Sequence, residues 1–206
     1  MTGKLFVISG PSGVGKGTLV NKILEKNKEL FLSVSATTRN KREGEIDGIN
    51  YYFKEKEEFA KMADENEFLE WATFCENSYG TPKRPVFDKL NDGKDVILEI
   101  EIQGAMQVKK NMPSCVLVFI APPSKEELIN RLKGRGTETE EVIKLRVETA
   151  TKELKVAKEY DYIIVNDNIE KAADDILSVI KAEKCKKERI IEDLEVLKWF
   201  LKNFKV

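Results

Sequence analysis

The sequence predicts an α/β fold in which a parallel sheet carries helices on both faces. Short apolar runs alternate with helical patterns along most of the 206-residue chain, which is typical of a parallel sheet with helical crossovers. A β-rich stretch at about 37–81 interrupts this alternation, so we expect an inserted subdomain beside the core. We predict core strands near residues 5–9, 31–36, 95–102, 115–121 and 162–165.

The composition narrows the classes of function. The net charge of −1 leaves no basic face for nucleic acid, and no apolar run approaches the length of a membrane span. The absence of histidine excludes serine–histidine triads and HExxH metal sites. Cys75, Cys115 and Cys185 form no CxxC pair, so we interpret them as small core hydrophobes of a cytoplasmic protein.

The N-terminal stretch KLFVISGPSGVGKGT predicts a phosphate-binding loop between a strand and a helix. Its glycines let backbone N–H groups surround phosphate oxygens, and the lysine reaches the terminal phosphates. The position after the lysine, usually a magnesium-binding Ser or Thr, is Gly17, and the hydroxyl follows at Thr18. A glycine-rich turn without a ligand is the alternative. The predicted nucleotide-binding positions are Pro11, Ser12, Gly13, Val14, Gly15, Lys16, Gly17 and Thr18.

Two further features suggest a second ligand. Arg39, Lys41 and Arg42 form a basic cluster that suits a phosphate monoester, although the cluster taken alone favours a solvated surface loop, where runs of charge usually lie. Glu70 lies within the apolar stretch EFLEWATF. It either faces outward from a strand or pairs with a donor-rich edge such as that of guanine, whose ring N–H and amine lie side by side.

Residues 30–81 resemble the acceptor-binding segment of guanylate kinases. The resemblance extends through LEIEIQG, FIAPPS, RLKGRGTE and IIVND and covers the chain to about residue 183. It implies a P-loop NTPase core with a mixed α/β GMP-binding insertion and a helical lid. The implied boundaries are 1–36, 88–123 and 161–206 for the core, 37–87 for the GMP-binding subdomain and 124–160 for the lid.

The resemblance also implies which residues bind GMP. The arginines of the S-x-T-T-R-x-x-R block would bind the phosphate, and the glutamate of EFLEWATF would select guanine. Glu99 and Glu101 take places often held by aspartates, which leaves open which of them contacts the base and which orders magnesium through water. The implied GMP-binding residues are Ser35, Arg39, Arg42, Tyr51, Glu70, Tyr79, Thr81, Glu99 and Glu101.

A helix pair forms the expected lid. Ser124 with Glu127 is a capping-box pattern that starts one helix, and Thr137 with Glu140 starts a second. Arginines on helices are usually solvated, but the resemblance places Arg135 and Arg146 at the transferring phosphoryl group. It assigns Arg131 and Asn166 to ATP. The implied catalytic residues are Lys16, Arg39, Arg42, Arg135 and Arg146.

The expected activity is transfer of the γ-phosphoryl group of ATP to GMP, and to dGMP, giving ADP and GDP. A phosphate oxygen of GMP attacks, so no general base is needed, and Lys16, Mg²⁺ and arginines neutralise charge. Mg²⁺ is expected near Thr18, mostly through water. Another nucleoside-monophosphate kinase and a non-catalytic peptide-binding module are the alternatives, but such modules tend to lose the phosphate loop.

The C-terminal stretch CKKERIIEDLEVLKWFLKNFKV, residues 185–206, predicts an amphipathic helix. Its apolar stripe is either packed on the protein's own core, which we favour, or used as a contact between two copies. We therefore expect a monomer or a homodimer. The stripe consists of Ile190, Leu194, Leu197, Leu201 and Phe204.

Overall fold

A computed structural model describes residues 2–74, 76–133, 140–192 and 194–203. The described chain forms a five-stranded parallel sheet, in the order β2-β7-β1-β8-β9, and a four-stranded mixed sheet, in the order β4-β3-β6-β5. The strands of the parallel sheet are β1 (Leu5–Ser9), β2 (Phe31–Leu32), β7 (Val96–Glu99), β8 (Val116–Ala121) and β9 (Tyr162–Val165). Those of the mixed sheet are β3 (Ala36–Thr37), β4 (Tyr52–Phe53), β5 (Phe68–Phe74) and β6 (Asn77–Pro82).

The helices follow the strands on both sides of the parallel sheet, as the sequence predicts. A short 3₁₀ helix at Lys155–Glu159 leads into β9. The helices are α1 (Lys16–Lys26), α2 (Lys56–Asp64), α3 (Lys83–Asn91), α4 (Ile102–Asn111), α5 (Lys125–Lys133), α6 (Glu140–Leu154), α7 (Ile169–Lys184), α8 (Lys187–Glu192) and α9 (Leu194–Asn203). None of the helices in the described ranges is long and apolar enough to cross a membrane.

Each face of the parallel sheet carries its own hydrophobic core. Phe6 and Ile8 of β1 contribute to the core on the side of α1 and α7. Leu5 and Val7 contribute to the core on the side of α3 and α4. Because successive side chains of a strand point to opposite faces, a strand buried on both faces is apolar throughout. The run LFVIS therefore predicted β1 correctly as a buried strand of the parallel sheet.

Two of the predicted strands are shorter than expected. The stretch 31–36 is divided between the sheets, because β2 pairs with β7 whereas β3 pairs with β4 and β6. The stretch 95–102 is a strand only over Val96–Glu99, and Glu101 is already the N-cap of α4. Strand β1 ends at Ser9 and turns into the glycine loop, so β7 loses its ladder partner just beyond Ile100, whose N–H bonds the Ile8 carbonyl at 3.3 Å.

The lid and the tail differ from expectation in detail. Ser124 caps α5 by accepting the backbone N–H of Glu127 at 3.1 Å, but the Glu127 carboxylate accepts from Arg131. The single C-terminal helix is replaced by α8 and α9, which pack mainly against each other. Leu201 is 66% exposed, so the prediction that it packs on the protein's own core is wrong.

The cysteines are only partly core residues. Cys115 is buried as predicted, and burial is the main reason that the pKa of its thiol rises to about 11. Cys185 is exposed, because it follows the last residue of α7, so its assignment to the core was wrong. Both are free thiols. Cys75 lies outside the described residues, as do Thr137 of the second capping pattern and Phe204 of the apolar stripe.

Candidate active site

The phosphate-binding loop connects β1 to α1. Gly15 adopts a left-handed conformation with φ of 85°, which a residue with a β-carbon rarely takes, and Lys16 begins the helix. The Lys16 ammonium donates to the Gly10 carbonyl at 2.6 Å and to the Pro11 carbonyl at 3.3 Å. The cation therefore folds over its own loop, where it can meet an incoming phosphate.

The glycine at position 17 has a steric reason. A β-carbon on Gly17 would lie 3.3 Å from Oε1 of Glu99, so a serine there would crowd this carboxylate. Burial raises the pKa of Glu99, whereas the charge of Lys16 lowers it. Thr18 is exposed on the first turn of α1. Glycine at position 17, where the common loop pattern has Ser or Thr, thus lets the Glu99 carboxylate approach the start of α1.

A second set of residues surrounds the guanidinium of Arg39. Its Cζ lies 5.5 Å from the ring centre of Tyr51 and 5.8 Å from that of Phe53. The rings of Tyr51 and Tyr79 meet edge to face at 6.1 Å. Strands β3, β4 and β6 of the mixed sheet hold this arrangement together. A cation that lies between two aromatic rings, with the phenol groups of Tyr51 and Tyr79 close by, suits a phosphate monoester.

Sequence analysis missed Glu45, which orients Arg39. The Glu45 carboxylate accepts from Nη2 of Arg39 at 2.7 Å, from Nη1 at 3.1 Å and from the backbone N–H of Arg42 at 2.8 Å. The hydrogen bond from Arg39 is the largest cause of the lowered pKa of Glu45. Glu45 thus takes up both terminal nitrogens of the fork, and Nη1 also donates to the Asn40 carbonyl at 2.7 Å. An acidic residue in a charged turn gave no signal for this role.

Glu70 is buried on β5, with 7% of its surface exposed. Oε1 accepts the Thr81 hydroxyl at 2.7 Å, across the antiparallel pair of β5 and β6. Burial raises the pKa of Glu70, and hydrogen bonds from the hydroxyl and backbone N–H of Thr81 oppose this rise. The alternative in which Glu70 points outward into solvent is therefore wrong. In the described part of the chain no basic side chain pairs with it.

Glu99 lies between the two halves of the site. It ends β7 beside Gly17, and its charge contributes to the raised pKa of Tyr51, which is caused mainly by burial. Glu101 lies beyond the strand end, 73% exposed, with Oε1 4.0 Å from Nζ of Lys16. The expected buried strand position of Glu101 is thus wrong, since the residue occupies the N-cap position of α4, without a capping hydrogen bond from its side chain. The phosphate-binding loop and the pocket around Arg39, which we call the arginine pocket, are therefore neighbours.

Glu153 is a further residue that the sequence did not reveal. It lies half-buried near the end of α6. Burial raises its pKa, the charge of Glu101 raises it further and that of Lys16 lowers it. Helix α6 therefore brings a third carboxylate, after Glu99 and Glu101, toward Lys16. Only the tertiary arrangement of α6 creates this proximity, so no sequence pattern could have found it.

Helices α5 and α6 and the residue after β9 contact the phosphate-binding loop. Nη1 of Arg146 on α6 donates to the Ser12 hydroxyl at 3.1 Å. The side-chain amide of Asn166 is buried and donates to the Val14 carbonyl at 2.7 Å, while the backbone carbonyl of Asn166 accepts from Nη1 of Arg131 on α5 at 3.0 Å. The four predicted ATP-side residues Ser12, Val14, Arg131 and Asn166 therefore form one connected group at the loop.

The remaining predicted residues lie in loops or outside the described part of the chain. Ser35 lies between β2 and β3, and its carbonyl accepts the Tyr52 N–H at 2.9 Å. Arg42 is exposed in the loop that precedes Glu45. Arg135 lies outside the described residues. No group of three or more metal-ligating acidic or cysteine side chains occurs within the ranges that the structure covers.

Fold and site together define a class of protein. A parallel sheet whose first strand leads into a phosphate-binding loop, and a second sheet that carries an arginine pocket and a buried carboxylate, are the parts of a P-loop kinase with a separate acceptor subdomain.

Comparison with known proteins narrows the class to one family. The guanylate kinase family model matches residues 2–183. The chain is 52% identical to a guanylate kinase of Caldanaerobacter subterraneus over 187 residues, which cover 91% of each chain. It is 53% identical to that of Carboxydothermus hydrogenoformans over 188 residues, or 91% of this chain and 92% of the relative. The chain therefore belongs to the guanylate kinase family.

A solved structure agrees with the fold. The crystal structure of guanylate kinase from Anaplasma phagocytophilum superimposes with a TM-score of 0.79 at 34% identity. The match covers 100% of this chain and 97% of that one. The predicted α/β core with helices on both faces and a mixed-sheet insertion is confirmed.

Proposed function

We propose that the protein transfers the γ-phosphoryl group of ATP to GMP, giving ADP and GDP. The observation that carries this proposal is the buried Glu70 carboxylate. It accepts a hydrogen bond from the Thr81 hydroxyl and forms no ion pair within the described residues. Guanine offers a ring N–H and an amine side by side to such an acceptor, whereas adenine has an acceptor nitrogen at the corresponding ring position. Membership of the guanylate kinase family supports the same substrate.

The ATP side is the phosphate-binding loop. We assign the phosphates to the backbone of residues 11–18 and to Lys16, whose ammonium already lies over the loop. Arg146, bonded to Ser12, would contact the phosphoryl group that moves, together with Arg135. Arg131 and Asn166 would lie against the adenosine end, because both are connected to the loop through Val14.

The GMP side is the mixed sheet. The phosphate would bind Arg39 and Arg42 and the hydroxyls of Tyr51 and Tyr79, because Arg39 lies over the Tyr51 ring and Tyr51 meets Tyr79. The base would bind Glu70 with Thr81 and Ser35. Because this assignment uses only the base and the phosphate, we expect dGMP to be accepted as well as GMP.

The reaction requires positioning more than proton transfer. The GMP phosphate is largely dianionic at neutral pH and attacks without a general base, which is consistent with a chain that contains no histidine. The cations Lys16, Arg39 and Arg146 spread the charge of the transferring group, and closure of the lid excludes water.

The oxygen donors near the loop suit Mg²⁺, which binds nucleotide phosphates with few protein ligands and several waters. The Glu99 carboxylate beside Gly17, the exposed Glu101 and the Thr18 hydroxyl are hard oxygen groups at the loop. We assign Mg²⁺ to these residues, mostly through water. Of the two carboxylates, we assign Glu99 the closer contact, because it lies beside Gly17 at the start of α1. The ion would neutralise charge on the phosphates.

The subdomain boundaries, the compartment and the assembly belong to the same proposal. We propose residues 37–87 as the GMP-binding subdomain and 124–160 as the lid, on a core of 1–36, 88–123 and 161–206. Free Cys115 and Cys185 suit the reducing cytoplasm. A homodimer contact through the exposed residues of α9 is the alternative to a monomer, and sedimentation of a chain ending at Lys184 distinguishes the two.

ADP formation from ATP and magnesium tests the activity, with GMP, dGMP, AMP, CMP and UMP measured in parallel. We expect turnover with GMP and dGMP alone, and none in Lys16→Ala. Turnover of AMP would contradict the base assignment while leaving the fold class intact. Silence with all five nucleotides would favour a non-catalytic binding module.

A further inference from the structure

Gly104 is an unfavourable residue at its position. It is the third residue of α4 and is buried. Glycine is among the poorest helix formers, because it loses the most backbone freedom on folding. Alanine would therefore serve the helix better, so the glycine needs an explanation outside α4.

The space that a side chain would need is filled by Glu70. A β-carbon on Gly104 would lie 2.5 Å from Oε2 of Glu70, 3.0 Å from its Cδ and 3.4 Å from its Cγ. All three of these nearest atoms belong to the same side chain. The carboxylate therefore approaches α4 as closely as it does only because residue 104 has no β-carbon.

The same face of α4 also holds the backbone on both sides of Glu70. The Gln107 amide accepts the Trp71 N–H at 3.3 Å and donates to the Trp71 carbonyl at 3.0 Å. Nδ2 of Asn111 donates to the Leu69 carbonyl at 2.7 Å. Positions 104, 107 and 111 recur at helical spacing, so they share one face. This face ties β5 of the mixed sheet to the core.

We propose that Gly104 is a positioning residue for base recognition. It gives the Glu70 carboxylate room, while Gln107 and Asn111 fix the strand around it, so that the carboxylate meets both N–H groups of guanine in one orientation. This inference rests on the proposed function, in which Glu70 binds the base. It assigns the specificity of the acceptor site partly to α4, the helix that follows β7 of the parallel sheet.

A displaced carboxylate has somewhere to go. A pocket of about 100 Å³ lies beside Glu70 and is lined by polar groups of Asn66, Gln107 and Asn111 among others. A β-carbon at position 104 would displace the Glu70 side chain into this pocket, while the backbone of α4 and β5 stays in place. The effect of Gly104→Ala is therefore on base recognition, and the helix itself gains from the alanine.

The experiment measures Gly104→Ala with GMP and with inosine monophosphate, which lacks the amine of guanine. We expect kcat/KM for GMP to fall about tenfold or more, as for loss of a hydrogen bond to a charged group. The ratio of kcat/KM for GMP over inosine monophosphate should fall, the KM for ATP should stay unchanged, and the melting temperature should stay equal or rise. Parallel losses with both acceptors, or no loss, would overturn the proposal.

A second variant, Glu70→Asp, separates the steric explanation from a general loss of folding. Glu70→Asp draws the carboxylate back by one methylene and relieves the 2.5 Å approach of Oε2, so Gly104→Ala should cause a smaller further loss in the Glu70→Asp background than in the wild type. Additive losses in the double variant would contradict the steric explanation. Wild-type protein that turns over another monophosphate but not GMP would contradict the proposed function itself, and the inference would fall with it.

Discussion

The variant Glu70→Gln isolates the charge of the carboxylate that we assign to the base. Glutamine keeps the size of the side chain and an oxygen for the Thr81 hydroxyl, which Oε1 accepts at 2.7 Å. It replaces the second oxygen by an N–H donor, which would then oppose a donor of guanine. The change is nearly isosteric, so the packing against Gly104 is retained.

The magnitude follows from the contacts that are lost. One charge-assisted hydrogen bond contributes about 1.5–3 kcal/mol, and the opposed donors cost roughly a further 1–2 kcal/mol, because a desolvated donor is left unpaired. A total of about 2.5–5 kcal/mol corresponds to a fall in kcat/KM for GMP of about seventyfold to a few thousandfold. The KM for ATP should not change, because Glu70 lies on the mixed sheet.

A coupled assay of ADP formation measures this effect. Glu58→Gln is the matched control, since Glu58 is an exposed residue of α2 in the same subdomain and pairs only with Lys54 among the described residues. We expect that control to retain the activity of the wild type. A Glu70→Gln variant that keeps its preference for GMP over AMP would refute the assignment of base selection to this carboxylate.

The stability of the same variant should depend on pH. Burial raises the pKa of Glu70 above its value in the unfolded chain, so the contribution of this group to stability is greatest at low pH and is lost as pH rises through the folded pKa. Glu70→Gln should therefore be more stable than the unliganded wild type at pH 8, and the difference should shrink toward pH 4. Urea unfolding at both values measures it, and an opposite trend would contradict the buried, unpaired carboxylate.

Three further variants test other parts of the account. Gly17→Ala puts a β-carbon 3.3 Å from Oε1 of Glu99 and should lower kcat by about tenfold in steady-state assays; an unchanged kcat would show that this approach is dispensable. Arg146→Lys keeps the charge but loses the fork that bonds Ser12, so kcat should fall about tenfold, whereas full activity would remove the lid arginine from the mechanism. The Glu183 carboxylate, buried near the end of α7, pairs with Lys4 at 2.9 Å and with Lys186 at 2.6 Å and accepts the Tyr162 hydroxyl at 2.7 Å. Glu183→Gln should therefore lower the unfolding free energy by about 3 kcal/mol at pH 7, measured in urea, with activity unchanged. Burial alone would raise the pKa of Glu183, but hydrogen bonds from its partners outweigh it and lower the pKa to about 2. The loss should therefore fade as pH falls from 4.5 to about 2, and a pH-independent difference would contradict the ion pairs.

The fold was largely predictable because its core strands are buried on both faces. Apolar runs such as LFVIS have no solvent face to interrupt them, and they mark the positions of β1 and β8 closely. The strand ends were less predictable. Ile100 and Ile102 continue the apolar pattern beyond β7, although the neighbouring strand has already turned away and the chain enters α4. Pairing with a partner strand, which a local pattern does not contain, decides where a strand ends.

The site was predictable where one motif carries the chemistry in consecutive residues. Lys16 and its loop follow directly from the order of glycines between a strand and a helix. The residues that support the site depend on contacts across the fold. Glu45 has a role only because its turn closes on Arg39, and Gly104 only because α4 meets β5 at Glu70. A single sequence does not reveal such pairs.

A crystal structure with GMP and a non-hydrolysable ATP analogue tests the central claim most directly, because it shows which site holds which nucleotide. The account predicts guanine against the Glu70 carboxylate, the GMP phosphate on Arg39, and the ATP phosphates in the loop around Lys16. Guanine bound beside Asn166, or an acceptor phosphate held away from Arg39, would contradict it.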